Sequence, residues 1–154
     1  MSATHGKMRS IVVLSLLLFS LGYTIRAVAD DTTDYAIVVR ADQTIGTADA
    51  ALIRLLYLKI LNEWPSGLPA KPIGPPDPSP ENKILLDQLL RMDGARLAQH
   101  WISLKQRTGQ RRVRAVGSTA QALLLVKNRP GAFAIVPASV VEVDPDFTIL
   151  FRFE

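Results

Sequence analysis

Ser79, which stands directly before Pro80 and Glu81, and the run Gly117-Ser118-Thr119 put hydroxyl groups where apolar-periodic stretches begin. A serine or threonine in that place accepts a hydrogen bond from an otherwise unsatisfied N–H of the first helical turn, so capping is the first role of each. Lys83 reads as an exposed helix residue. Metal chemistry has little to work with. The histidines are His5 and His100 and there is no cysteine, so a zinc site would rest on carboxylates almost alone. Asp144 and Asp146 flank Pro145, a turn pattern in which aspartate serves the backbone. Hydrolysis needs a nucleophile and an oriented base, and neither G-x-S-x-G nor a Ser-His-Asp arrangement can be assembled. The chain is therefore read as no enzyme, with no cofactor and no metal. Lys105, Arg107, Arg111, Arg112 and Arg114 form a basic cluster without an interleaved aromatic to stack on bases. It reads as a solvated loop and no nucleic-acid partner is expected.

These residues are positioned by a succession of strands and helices. Tyr35 to Arg40 is a short β-branched run expected to form a buried strand. Thr47 is the expected cap of a helix carrying Leu52, Leu55, Leu56 and Ile60 down to Asn62, stopped by Pro65 and Gly67. Seven of the ten prolines fall between Pro65 and Pro80, a rigid connection within which Lys71-Pro72-Ile73 can cross the domain extended. Ser79 with Pro80 and Glu81 starts a helix that buries Leu85, Leu89 and Met92. Asp93-Gly94 starts another, with Leu97, Trp101 and Leu104 on one face. Trp64 and Trp101 read as core anchors first, with pocket lining as the alternative. Val113 to Val116 is expected as a strand, followed by a helix capped at Ser118 or Thr119 that carries Ala120, Leu123, Leu124 and Lys127. Pro130-Gly131 then turns into the strand Ala132 to Val136, and this strand-helix-strand order implies a parallel pair. Phe147 to Phe153 closes the domain as a strand with one buried face. Helices packed on a mixed sheet are the expected architecture.

Ahead of this domain, residues 1–29 have the order of a cleavable export signal. Basic Lys7 and Arg9 precede the apolar run Ile11 to Leu21, and Ala27-Val28-Ala29 offers small residues to a signal peptidase. Cleavage leaves Asp30 first; retention as an N-terminal anchor is the alternative, although the run is short for a membrane span. Lys7, Arg9 and Arg26 are lost with the signal and no acid is. The remaining 125 residues then hold 15 basic against 14 acidic side chains, a net charge of +1. Without cysteine there is no lipid anchor, so a freely diffusing periplasmic protein with no stable membrane insertion is expected. No internal repeat divides residues 30–154.

A family pattern runs through that domain. Leu55-Leu56-Tyr57-Leu58-Lys59 followed by Trp64-Pro65 resembles the helix and W-P turn of phosphate-type periplasmic solute-binding proteins. Pro78-Ser79-Pro80 before a helix, His100-Trp101 near the end of the next, and Asn128 to Val136, similar to the family's N-P-G-A-I-G-Y-V, follow in the same order. The resemblance covers about Tyr35 to Val136. It implies an α/β fold: a single periplasmic-binding-protein-like lobe with a mixed, mostly parallel sheet flanked by helices. A full family member has two lobes, and 125 residues are enough for one.

In that family phosphate is held by N–H and hydroxyl groups at helix N-termini, where dipole and free donors favour an anion. Carried over to this chain, the ligand candidates are Ser79 and Gly117, Ser118 and Thr119. The chain also departs from the pattern. Glu81, Asn82 and Lys83 follow Pro80 where relatives often have an arginine, and Ala134-Ile135 replaces the Gly-Tyr of the last strand. Pro80 removes one N–H and Glu81 repels an anion. Two functions stay open. One is a periplasmic module that takes up phosphate or another small oxyanion for a transporter or sensor. The other is an accessory protein of the same fold that has lost its ligand and docks onto an envelope partner such as a transporter, sensor or receptor, or onto a copy of itself.

Overall fold

Ala36, Ile37, Val38 and Val39 are all fully buried, which requires apolar partners on both faces of the strand they form. That strand, β1 (Tyr35–Arg40), lies inside a four-stranded sheet in the computed structural model, which describes residues 33–153. The expected signal segment, residues 1–29, lies outside the described residues. The other elements in chain order are α1 (Ala50–Tyr57), β2 (Lys71–Ile73), α2 (Pro80–Ile84) running into a π-helical turn (Leu85–Leu90), α3 (Gly94–Thr108), α4 (Thr119–Asn128), β3 (Ala132–Pro137) and β4 (Phe147–Phe153). The sheet order is β2-β3-β1-β4.

Alternation along β1 and β3 divides the core between the two faces. Ile37, Val39, Phe133 and Ile135 face α1, the π-helical turn and Trp64, in a cluster with Ile53, Leu56, Leu85, Leu89 and Leu90. Ala36, Val38, Ala132, Ala134 and Val136 face α4, which buries Ala122 and Val126 against them. Small side chains on this second face let α4 approach closely. Among the described residues no helix is long and apolar enough to cross a membrane.

The α/β class, with helices flanking a mixed sheet, is as expected, but its parallel content is not. β2 pairs with β3 in parallel, whereas β1 is antiparallel to both β3 and β4. The expected strand at Val113 to Val116 is reduced to one parallel bridge, Gly74 to Ala115, on the far side of β2. Close approach explains the glycine there: a Cβ at Gly74 would lie 2.9 Å from the Arg114 carbonyl oxygen. β2 therefore separates this segment from β3, so the inferred parallel neighbours of β3 are exchanged.

Helix ends differ locally. Asp49, not Thr47, caps α1 through its side chain to the Leu52 N–H, and α1 stops at Tyr57 because Lys59 is left-handed, with φ of 55°. Ile60 is consequently 55% exposed. On α4 the buried face is Ala122 and Val126, and Leu124 points out at 58% exposure. Ser79, Asp93 and Ser118 cap the helices expected of them.

Candidate functional site

The four expected ligand groups are already engaged within the chain. Ser79 Oγ accepts from the Asn82 N–H at 3.1 Å, and Ser118 Oγ accepts from the Gln121 N–H at 3.2 Å. Gln121 Oε1 in turn accepts from the Gly117 N–H at 2.8 Å, so the start of α4 is closed by a reciprocal cap. Thr119 donates its hydroxyl to Glu81 Oε1 at 3.0 Å. Ser79 and Thr119 thus belong to two helix starts that the fold brings together, with Glu81 between them.

Glu81 is the one buried charged side chain among the described residues, 8% exposed. No cation pairs with it among those residues. Burying a carboxylate is costly unless hydrogen bonds or favourable dipoles compensate. Its place in the first turn of α2 and its bond to the first residue of α4 put it at two positive helix ends. The chain's own oxyanion thus occupies a position that favours a negative charge. Sequence reading placed Glu81 as an N-terminal helix acid; its pairing with Thr119, 38 residues away, has no local signal.

A separate hollow of about 410 Å³ opens beside Gly117, with Gln121, Arg114 and Arg129 on its walls. Neither arginine is ion-paired among the described residues. The basic cluster divides. Lys105 and Arg107 lie in the last turn of α3, and Arg111, Arg112 and Arg114 follow on a segment outside helix and strand. Lys59 Nζ donates to the Arg111 carbonyl at 2.7 Å, and its partial burial lowers the ammonium pKa. Trp101, separated from the cluster in sequence, joins Lys105, Arg111 and Arg112 around one groove.

The remaining candidates have structural surroundings. His100 Nε2 is 2.8 Å from the Leu58 carbonyl, and its ring meets Trp101 edge to face. Asp144 Oδ1 accepts from the Asp146 N–H at 3.0 Å inside the expected turn. Asp146 pairs with Lys127 and holds that ammonium above its usual range. Trp64 is core, donating Nε1–H to the Gly131 carbonyl at 3.0 Å. Among the described residues no group of three or more His, Asp or Glu side chains could hold a metal.

No known family model matches the sequence, and no curated protein matches it. A structural match does exist. The fold is similar to a crystal structure from Clostridium perfringens described as a phosphate ABC transporter substrate-binding protein with bound phosphate, with a TM-score of 0.58 and 12% identity. The match covers 75% of this chain and 43% of that one, so this chain spans less than half the length of the protein it resembles. At that identity the likeness is one of fold: a mixed sheet flanked by helices, matching part of that protein.

Proposed function

We propose that this chain is an exported, one-lobed domain of the solute-binding-protein fold that works as an envelope accessory protein by docking onto a protein partner, not as an enzyme. The observation that carries this reading is Glu81, whose carboxylate lies where two helix starts would attract an oxyanion and is held there by Thr119. A free phosphate entering that corner would meet a buried negative charge.

A second reading rests on a different place. The hollow at Gly117 carries Arg114 and Arg129, and guanidinium groups there would favour phosphate or another small oxyanion, delivered to a transporter or sensor. Ser118 lies next to Gly117, and its hydroxyl can donate to an anion while its Oγ still caps α4.

Thermal melting in millimolar phosphate or sulfate separates the two, since a ligand that binds the folded state raises the melting temperature. The docking reading expects no shift for the wild type and a phosphate-dependent rise for Glu81→Gln, whose charge is gone. A wild-type shift that disappears in Arg114→Ala or Arg129→Ala would establish the oxyanion reading instead. Export is checked separately: the protein recovered from the periplasm should begin at or near Asp30.

A further inference from the structure

The groove of about 780 Å³ between α3 and the segment that follows it has apolar lining residues, Ala98, Trp101 and Ile102, termed its floor, and cationic ones, Lys105, Arg111 and Arg112, termed its rim. Ile102 is 57% exposed although it lies mid-helix. Three ion pairs occur among the described residues, Arg40 with Asp42, Lys127 with Asp146 and Arg152 with Glu142, and none uses a rim residue. Among the described residues no carboxylate lines the groove. An apolar floor and an unneutralised cationic rim are complementary to a partner with the opposite arrangement.

The rim is also fixed in place. Gly109, left-handed at φ of 71°, ends α3 by donating to the Lys105 carbonyl. Beyond it Lys59 holds the Arg111 carbonyl and Gly74 holds the Arg114 carbonyl. With the backbone secured at three points, binding orders only the side chains and not the segment that carries them. Tryptophan and arginine are the side chains that most often dominate binding energy at protein interfaces.

We propose that this groove binds an acidic amphipathic segment of a partner protein, with apolar side chains on Trp101 and Ile102 and carboxylates on Lys105, Arg111 and Arg112. This deepens the docking reading and rests on it. A peptide suits the surface better than a bilayer does. Trp101 is half-buried, which leaves Ile102 as the one large, well-exposed apolar side chain of the groove, whereas interfacial membrane anchors present an extended apolar face. A helix laid in a groove places apolar anchors at three- and four-residue spacing and keeps its charges for the rim.

The test uses the full chain and a synthetic peptide with leucines at that spacing and glutamates between them, alongside the same peptide with lysines in place of glutamates. The glutamate peptide should bind, weaken as salt rises, and lose at least about tenfold in affinity against Arg111→Glu/Arg112→Glu and against Ile102→Glu. These three positions are exposed, so the variants should keep the wild-type melting temperature. Absence of binding, equal binding of the lysine peptide, or binding only to vesicles containing phosphatidylglycerol would each overturn the proposal. Crosslinking in the envelope separates its failure from that of the docking reading. A partner captured equally by wild type and double variant removes the groove alone, and a monomer with no partner removes both.

Discussion

Thr119 Oγ1 donates to Glu81 Oε1 at 3.0 Å, and this bond ties the first turn of α2 to the first residue of α4. The two helices belong to opposite sides of the sheet's core, since the chain that follows Glu81 packs with Ile37 and Phe133 while α4 packs with Val38 and Ala134. Removing the donor leaves a buried carboxylate short of a hydrogen bond. Thr119→Val should therefore lower unfolding stability in urea by about 1–3 kcal/mol, and Thr119→Ser should recover most of it. Equal losses for valine and serine would mean that shape, not the hydroxyl, matters at this position.

Tyr57 lies against the core with its phenol buried, and burial pushes its pKa far above the ordinary value of 10.0. Unfolding above that value releases a proton that the folded phenol retains, so stability falls as pH rises through the ordinary tyrosine range. Lys59 acts in the opposite sense. Its lowered ammonium pKa means that unfolding takes up a proton just below 10.5, so its own contribution improves as pH rises toward that value. The melting temperature of the wild type should decline above about pH 10, and Tyr57→Phe should flatten that decline while leaving the Lys59 contribution. A Tyr57→Phe curve parallel to the wild type would show that this phenol does not link folding to pH.

Much of the local structure was legible because its causes are local. Serine before proline and glutamate specifies a helix start wherever it occurs, and Ser79 caps α2 through the N–H of Asn82. The same holds for Ser118 at α4 and for the β-branched run of β1. What was not legible depends on distant partners. Val113 to Val116 has strand composition, but β2 occupies the edge of β3 and leaves this segment a single bridge to Gly74. Leu124 continues an apolar stretch, yet the rotation of α4 is set by Ala122 and Val126 meeting the small residues of the sheet. The site behaves likewise. The sequence located its helix starts; the packing of the two helices around the sheet made Glu81 and Thr119 neighbours, and the end of α3 brought Trp101 to the basic segment.

Gly131 and Gly67 offer a matched pair for separating backbone conformation from crowding. Both are left-handed, with φ of 79° and 84°, so an alanine at either meets the same backbone penalty of about 1–2 kcal/mol. Their surroundings differ completely. A Cβ at Gly67 meets nothing within 4 Å, whereas at Gly131 it would lie 1.9 Å from the Pro69 carbonyl oxygen. That backbone cannot retreat freely, because the Gly131 carbonyl accepts from both Trp64 Nε1 and the Lys71 N–H, and its own N–H donates to Gln43. These bonds join the proline-rich connection to the start of β3 and place Trp64 edge-on to Phe133. Gly67→Ala should cost no more than the backbone penalty in a urea melt, and Gly131→Ala should exceed it by more than about 3 kcal/mol or prevent folding. Losses of similar size at the two positions would show that the turn before β3 yields to a side chain and that the Trp64 anchor does not depend on its tight approach.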